Sequence, residues 1–199
     1  MASAKRDLLV ETALRLFSKQ GYRATGIDKI LEVSGVAKMT LYKHFKSKDE
    51  LIIAALQKRD KDFAEQIDRH MTRFLPQQEC DPRIAKLMAL FDALHNWVSS
   101  ESFYGCNFIN ASIEFKREDD PIHVAASVHQ KFSIQKLQEL LAELRLQDTH
   151  HVARSIHMLI EGAIILAVTL SDRNSIPLAK ENALKILNSY DISPPLVMQ

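Results

Sequence analysis

Residues 38–48 combine a run of basic side chains with the hydroxyl groups of Thr40 and Tyr42 and contain no acidic residue. An ammonium group can donate hydrogen bonds to phosphate oxygens or to the edge of a guanine, and a hydroxyl group suits phosphate oxygens. Such a run is either a solvated charged face or a surface that binds nucleic acid. Its members are Lys38, Thr40, Tyr42, Lys43, Lys46 and Lys48.

The charge of the chain is distributed unevenly along its length. The net charge is only +1, but residues 1–50 hold ten Lys and Arg against six Asp and Glu, whereas the remaining residues hold sixteen against nineteen. The basic excess therefore coincides with the lysine run. This placement favours an acidic partner for the first part of the chain.

Three short helices are predicted to position the lysine run. Apolar residues at helical spacing predict a first helix that ends at Gly21, where a left-handed residue closes a helix. The segment Thr25-Gly-Ile-Asp28 has the form of a capping box and predicts a second helix over 26–33. Gly35 breaks that helix, because glycine enters a left-handed turn without steric cost. A third helix is predicted over 38–45.

The second and third helices have the pattern of a helix-turn-helix unit, in which a glycine-containing turn joins two helices that cross steeply. Inward apolar residues fix the crossing angle, and they are predicted to be Ile30, Val36, Leu41 and Phe45. The outward face of the third helix then enters the major groove of DNA, which is wide enough for one helix. That outward face carries Lys38, Met39, Tyr42 and Lys43.

The segment from Thr25 to Leu51 resembles the DNA-binding head of the TetR/AcrR family of transcriptional repressors. Its sequence is TGIDKILEVSGVAKMTLYKHFKSKDEL, in which a Gly-Val turn precedes a T-L-Y-x-H/Y-F recognition helix and an S-K-x-x-L helix start. The resemblance covers about a quarter of the chain. It implies that Tyr42 and Lys48 clamp phosphates. The full set of implied DNA contacts is Thr25, Lys38, Met39, Thr40, Tyr42, Lys43, His44 and Lys48.

Two positions depart from the family pattern. Ala37 stands where the family often has serine, a natural N-cap, so the third helix is predicted to start less firmly. Leu31 replaces a small residue of the second helix and is expected to widen its packing on the third helix.

The rest of the chain is also predicted to be helical. A second capping box, Ser47-Lys-Asp-Glu50, begins a long helix that ends near Phe74, and Pro82, with Asp81 as its cap, begins a helix that ends near Val98. Further helices are predicted over 106–115, 122–146, 148–171 and 174–190. The predicted fold class is therefore all-α with about nine helices. A three-helix head spans residues 1–46, and a larger helical dimerisation and ligand-binding bundle spans residues 47–199.

A head of this size reads too few base pairs to select one operator, so a homodimer is expected. The family resemblance implies that the last two helices form a four-helix dimer interface. Small residues there permit close approach of helices, although the same residues would also suit the core of one chain. The candidate interface residues are Gly162, Ala163, Ile165, Ala167, Ala183, Ile186, Leu187 and Tyr190.

The resemblance further implies that the middle helices enclose a cavity for a small molecule, which moves the heads apart when it binds. A mixture of apolar, aromatic and polar residues suggests an apolar or aromatic effector, although each residue would also suit an ordinary core. The candidate lining residues are Phe91, Leu94, Trp97, Phe103, Cys106, Asn110, Phe132, His157 and Glu161. The implied function is a repressor that binds a palindromic operator and is released by this effector.

Cys106 follows Gly105 at a predicted helix N-terminus, where a thiol pKa is lowered and the reactive thiolate is favoured. The Gly-Cys-x-x-x-Asn segment resembles a branch of the family whose members sense electrophiles or oxidants. The alternatives are a thiol sensor, a small buried side chain, and a helical thiol enzyme. No Cys/His/Asn arrangement has a suitable spacing, so we predict no enzyme. An activator or a nucleoid-type binder without an effector also remains open.

The composition suits a soluble globular protein, with 46% hydrophobic and 26% charged residues. Two cysteines without CxxC spacing point to a reducing compartment, and the start of the chain lacks the apolar segment of a secretory signal. We therefore expect a cytoplasmic protein with no membrane partner. The eight histidines show no spacing typical of metal ligands, so we predict neither a metal nor a cofactor.

Overall fold

The structure, a computed structural model, describes residues 2–77 and 80–190. This part of the chain contains nine α-helices, two short 3-10 segments at Leu75–Gln77 and Ala142–Leu144, and no β-strand. The predicted all-α fold class is confirmed. The helices are α1 (Ala2–Gln20), α2 (Ile27–Ser34), α3 (Lys38–His44), α4 (Lys48–Phe74), α5 (Ala85–Val98), α6 (Asn107–Glu114), α7 (Pro121–Leu141), α8 (Thr149–Thr169) and α9 (Ser175–Asn188).

Contacts group the described residues into two compact units. The first unit takes residues from 1–63 and 106–130, and the second takes residues from 64–105 and 131–199. Helices α4 and α7 therefore each contribute to both units. The domain boundary at residue 46 stays a prediction, because a grouping by contacts does not test which part of the chain folds alone.

In the first unit, α1 packs against α2 and α3. Its apolar side is buried at Leu9, Ala13 and Phe17, which confirms the predicted helical spacing. Gly21 closes α1 with a φ of 87°, in the left-handed region that favours glycine. Burial of this apolar surface is the main source of stability for α2 and α3, which have only eight and seven residues and would be marginal alone.

In the second unit, α9 packs against α8 and α5. Phe91, Ala163 and Leu187 lie in its buried core. The hydroxyl of Ser175 donates to the carbonyl oxygen of Ala163 at 2.8 Å, which ties the start of α9 to α8. Lys180 of α9 also lies 2.7 Å from a carboxylate oxygen of Asp92 of α5. This unit is thus held by apolar burial and by polar links such as these two.

Two of the predicted helix caps are present. The Ser47 hydroxyl accepts a hydrogen bond of 3.2 Å from the backbone N–H of Glu50 at the start of α4. The Asp148 carboxylate accepts one of 2.9 Å from the backbone N–H of His151 at the start of α8. Both predictions are confirmed, since each side chain satisfies one otherwise unpaired N–H of a first helical turn.

Two other predicted helix caps are wrong, although the predicted start of α2 is within one residue of the observed one. The predicted cap Thr25 is not the N-cap of α2, since that position is Gly26, which makes no side-chain cap. Helix α5 begins at Ala85 rather than at Pro82. The Asp81 carboxylate accepts hydrogen bonds from the backbone and the guanidinium of Arg83, and these bonds close a turn ahead of the helix.

Helix α8 is long and apolar enough to cross a membrane by length and composition alone, with a mean hydropathy of 1.6 over its most apolar window. The core helix of a soluble protein passes the same test. The buried face of α8, including Ile156, Ile160 and Ile164, belongs to the unit in which α8 packs on α9. Its apolar character is therefore used in part for packing within the chain.

Candidate nucleic-acid interface

Helix α3 has one buried and one exposed face. Leu41 is fully buried and Phe45, just after the helix, is almost so. On the opposite side, Met39 is 77% exposed and Tyr42 is 49% exposed. Lys38 and Lys43 are also exposed. The predicted division into an inward apolar face and an outward basic face is therefore confirmed by burial.

The turn between α2 and α3 fixes the direction of α3. Gly35 has a φ of 65°, and its N–H donates to the carbonyl oxygen of Leu31 at 2.9 Å, which closes α2. The N–H of Val36 then donates to the hydroxyl of Ser34 at 3.3 Å. Because Ile30 and Val36 are both buried, the turn is anchored on each side by an apolar contact with the core.

Helix α3 begins without a side-chain cap, as the alanine at position 37 predicts. The Ala37 carbonyl oxygen instead accepts from the backbone N–H groups of Thr40 and Leu41, at 2.8 and 3.2 Å. Lys38 lies 3.5 Å from a carboxylate oxygen of Asp28, but both side chains are well exposed, so this ion pair contributes little. Leu31 is half-buried, and its predicted effect on helix packing stays a prediction.

Lys48 lies at the N-terminus of α4, where backbone N–H groups and the helix dipole favour an anion. Its Nζ donates to the carbonyl oxygen of Arg23 at 3.3 Å, so the ammonium is held against the turn between α1 and α2. Partial burial lowers the pKa of Lys48 from its ordinary value, with nearby Glu114 and Asp49 opposing that shift. The Glu50 carboxylate accepts from the backbone N–H of Lys46 at 2.7 Å and orders the residues before the helix.

The remaining predicted DNA contacts differ in their accessibility. Thr40 and His44 are half-buried on α3. Thr25 is fully buried, and its hydroxyl donates to the carbonyl oxygen of Gly21 at 2.8 Å. This bond ties the residue before α2 to the end of α1. The Thr25 side chain is therefore not presented to a partner in this conformation, contrary to the sequence-based expectation.

A link between α6 and the turn that follows α1 was not predicted. The Glu114 carboxylate accepts from the backbone N–H groups of Tyr22 and Arg23, at 2.8 and 2.7 Å. The hydroxyl of the buried Tyr22 donates to the carbonyl oxygen of Asn107 at 3.0 Å, and burial raises the pKa of that hydroxyl. The Asn107 amide in turn donates to Ser18 at 2.7 Å. Both ends of α6 therefore hold the turn that leads into the helix-turn-helix unit.

One signal in the sequence could have pointed to this link. Glu114 is an acidic residue in the last turn of α6, where the helix dipole disfavours negative charge. A carboxylate at such a position is expected to have N–H donors elsewhere.

The predicted effector-lining residues are spread over the two units. In the second unit, Phe91, Leu94 and Trp97 of α5 are buried, and Phe103 packs edge-on against Trp97 with ring centroids 5.0 Å apart. The other members of that unit are the exposed Phe132 and the half-buried His157 and Glu161. Cys106, which is buried, and Asn110, which is half-buried, belong to the first unit. The shared cavity stays a prediction.

The predicted dimer residues fall into two groups. Four of them are buried inside the chain and pack α8 and α9 within one molecule, namely Ala163, Ala167, Ala183 and Leu187. Their side chains therefore cannot also form an interface without loss of this packing. Gly162 and Ile165 are exposed, and Ile186 and Tyr190 are half-buried.

Comparisons with known proteins find one family by sequence and by structure. The sequence model of the family described as "Bacterial regulatory proteins, tetR family" matches residues 9–55, which include α2, α3 and the start of α4. The uncharacterized HTH-type transcriptional regulator YxaF of Bacillus subtilis is 27% identical over 182 residues, which cover 88% of this chain and 91% of YxaF.

Two further relatives agree with this match. The HTH-type transcriptional repressor ComR of Escherichia coli is 26% identical over 176 residues, which cover 81% of this chain and 79% of ComR. The crystal structure of a TetR-family transcriptional regulator from Streptomyces coelicolor matches with a TM-score of 0.81 and 28% identity, and the match covers 93% of this chain and 89% of that one. The likeness thus extends well beyond the helix-turn-helix unit.

Proposed function

We propose that this chain, which belongs to the TetR family of bacterial regulatory proteins, is a repressor that binds a palindromic operator as a homodimer and leaves it when a small molecule binds. Its general role is that of a DNA-binding transcriptional regulator. The observation that carries the proposal is the exposed basic face of α3, on a helix whose opposite face is buried. Such a protein acts in the cytoplasm, where the DNA of a bacterial cell lies.

The exposed face of α3 suits both kinds of DNA contact. Lys38 can donate to guanine, and Met39 can contact the methyl group of thymine. Tyr42 and Lys48 would bind phosphate oxygens, which position a protein on DNA without reading its sequence. Thr40, Lys43 and His44 would contact the flanking backbone. Thr25 is left out of this set because its hydroxyl is buried and already bonded.

A second copy of the chain is the proposed occupant of the exposed apolar face of α8. Met158 is 72% exposed and Leu170 is 70% exposed, and Ile165 and Leu166 are exposed between them. Positions 158, 162, 165, 166 and 169 lie on one side of a helix by their spacing. Gly162 lies in this stripe and an added Cβ would meet nothing within 4 Å in the single chain, so a partner helix could approach closely there.

The proposed effector is an apolar or aromatic small molecule. Its support is the cluster of aromatic and apolar side chains on and after α5, where Phe91, Trp97 and Phe103 lie. A ligand that separates protein from DNA must bind the DNA-free state more tightly than the DNA-bound state. A panel of aromatic compounds should therefore contain members that raise the unfolding temperature of the protein and weaken its binding to DNA.

Repression is proposed because ComR, which matches along most of its length, is described as a repressor. A dimer bound across a promoter also blocks access to it without needing any further contact. In vitro transcription from a promoter that carries the selected operator tests whether the chain represses or activates transcription. Loss of transcript on addition of protein is the expected result, whereas a gain would make the chain an activator.

Selection of bound fragments from random duplex DNA tests the DNA-binding part of the proposal. We expect a palindrome whose half-sites are separated by one helical turn or a multiple of it, about 10 base pairs per turn. Affinity should fall steeply as salt rises. Enrichment of a single half-site would contradict the homodimer, and absence of salt-dependent binding would contradict the proposal as a whole.

A thiol sensor that acts through Cys106 is the second candidate. Cys106 is the N-cap residue of α6, and the positive charge of the largely buried Arg59 acts on it. A cysteine at a helix N-terminus beside a cation is the usual setting of a reactive thiol. If the chain is a thiol sensor, its effector is an electrophile or an oxidant rather than a reversibly bound molecule.

A further inference from the structure

A second basic surface lies beside Lys48, at the turn after α1 and the end of α6. Arg23 and Lys116 line a surface depression there, together with Ile113, Glu114, Phe115, Arg117 and Asp120. We propose that Arg23 and Lys116 bind phosphates of the operator DNA outside the segment contacted by α3 and Lys48. This inference rests on the proposed DNA binding, and it extends the contact surface beyond the helix-turn-helix unit.

Arg23 is held in place while part of its guanidinium stays available. Its Nε donates to the carbonyl oxygen of Glu114 at 3.0 Å, and the guanidinium lies over the ring of Phe115, 5.2 Å from the centroid. The terminal nitrogens Nη1 and Nη2 have no partner among the described residues. A fixed guanidinium with free terminal N–H groups loses little side-chain freedom when it binds a phosphate.

The acidic groups around the depression are already occupied. Both oxygens of the Glu114 carboxylate accept backbone N–H groups, from Tyr22 and Arg23. One oxygen of Asp120 accepts the N–H of Ile122 at the start of α7, at 2.8 Å. Arg117 forms an ion pair of 2.8 Å with the exposed Asp119. These carboxylates keep their negative charge, but the residues that line the depression include three cations, Arg23, Lys116 and Arg117, against two anions, so the lining carries a net charge of +1.

Lys116 contributes the second available cation. It is exposed, and no hydrogen bond or ion pair to it is formed within residues 2–77 and 80–190. It follows Phe115, the residue whose ring carries the Arg23 guanidinium, so the two cations flank the same short segment.

The basic surface is continuous with the contacts proposed for the helix-turn-helix unit. The Lys48 ammonium lies 3.3 Å from the carbonyl oxygen of Arg23, so the two residues are neighbours. Gly26, which precedes α2, is exposed and leaves the first N–H groups of that helix without a side-chain cap. A DNA strand that passes Lys48 and the start of α2 would therefore meet Arg23 and then Lys116.

The test compares variants on two duplexes, one limited to the selected operator and one extended by a helical turn at each end. Lys116→Gln and Arg23→Gln are the variants, and Lys131→Gln, an exposed lysine of α7 in the second unit, is the matched control. On the extended duplex, each variant should lower the salt slope by about one and weaken binding by up to about tenfold at 0.1 M salt. On the short duplex, the loss should be smaller, and the control should match the wild type on both.

Three outcomes would overturn the inference. If Lys116→Gln and Arg23→Gln bind the extended duplex with the wild-type salt slope while Lys48→Ala does not, the extra contacts are absent and the proposed function stands. If inorganic phosphate raises the unfolding temperature of the wild type but not of Lys116→Gln, and DNA affinity is unchanged, the surface binds a free anion instead. If the wild type itself shows no salt-dependent binding, both proposals fail together.

Discussion

The Glu114 carboxylate lies 2.7 Å from the backbone nitrogen of Arg23, whose N–H donates to it across 91 positions of sequence. Its second oxygen receives the N–H of Tyr22. The carbonyl oxygen of Arg23 then accepts from Lys48. A carboxylate at the end of α6 therefore orders a turn on which a proposed phosphate contact rests.

Glu114→Ala should destabilise the protein and weaken DNA binding together. Two backbone N–H groups lose a charged acceptor, which corresponds to about 1 to 3 kcal/mol of unfolding free energy. The turn at 21–23 then no longer fixes Lys48. Urea unfolding and duplex binding, measured on the same preparations, check the two effects.

The conservative variant Glu114→Gln retains one carbonyl oxygen. It should therefore lose less unfolding free energy and less DNA affinity than Glu114→Ala. Glu118→Ala is the matched control, because Glu118 is exposed and has no partner in the described part of the chain. Equal behaviour of Glu114→Ala and Glu118→Ala would show that the link is not needed.

The variants of α3 and α4 should separate affinity from specificity. Lys48→Ala and Tyr42→Phe remove phosphate contacts and should weaken binding to the operator and to random duplex alike, with a lower salt slope for Lys48→Ala. Lys38→Ala should instead reduce the preference for the operator, because a lysine that reads a guanine edge distinguishes sequences by about 1 to 3 kcal/mol. Filter binding to the operator and to random duplex, over a range of salt concentrations, measures the affinity, the salt slope and the preference for the operator. An unchanged slope for Lys48→Ala contradicts the phosphate contact at α4.

The helices and their buried faces could be predicted because they depend on local signals. The spacing of Leu41 and Phe45, and the glycine at 35, fix an inward face and a turn whatever the rest of the chain does. The capping box at Thr25 was wrong because the N-cap of α2 is Gly26, and the Thr25 side chain is instead buried against the end of α1, where its hydroxyl donates to the Gly21 carbonyl oxygen. The contact of Glu114 with residues 22 and 23 joins distant segments, and an acidic residue at the end of α6 indicates that donors are needed without identifying them.

The predicted dimer-interface residues show a different limit of prediction from the sequence. Small residues such as Ala163 and Ala167 permit close approach of any helix, so their type cannot tell a neighbour in the same chain from one in a second chain. The structure buries both of them inside one molecule. The exposed Ile165 and Gly162, two and one positions away from Ala163, are left for a partner, together with the half-buried Ile186 and Tyr190.

Ile165→Lys should convert the proposed dimer into a monomer without unfolding it. The side chain is exposed in the single chain, so the change should leave monomer stability within about 0.5 kcal/mol. It places a charge in the middle of an apolar interface, which is strongly unfavourable. Light scattering measures the mass. Val128→Lys, at an exposed apolar position on α7, is the control, and persistence of the dimer in Ile165→Lys contradicts this interface.

The two cysteines should differ in their rates of alkylation if the chain is a thiol sensor. Burial raises the pKa of the Cys80 thiol, so Cys80 should react slowly at neutral pH. The sensor candidate requires Cys106, although buried, to react faster, since thiols at helix N-termini beside a cation are generally reactive. Mass spectrometry after brief iodoacetamide treatment of reduced protein measures both rates. A rate for Cys106 no greater than that of Cys80 removes the sensor candidate.

The free energy of unfolding should fall as the pH is lowered, because the buried His129 resists protonation. This ring stacks on Phe108, with centroids 3.5 Å apart, and its Nδ1 lies 2.6 Å from Asp60. Burial lowers the pKa of His129 from its ordinary 6.5, and the bond to Asp60 opposes that shift without cancelling it. As the pH falls below about 6.5, the unfolded chain therefore takes up a proton that the folded chain resists, which lowers stability by up to about 1.4 kcal/mol per unit of pKa difference.

Urea unfolding between pH 7.5 and 5.5 should show a shallower decline for His129→Gln, which cannot titrate, than for the wild type. His150→Gln, at an exposed position, should keep the wild-type decline, and an equally steep decline in His129→Gln would assign the pH dependence to other groups.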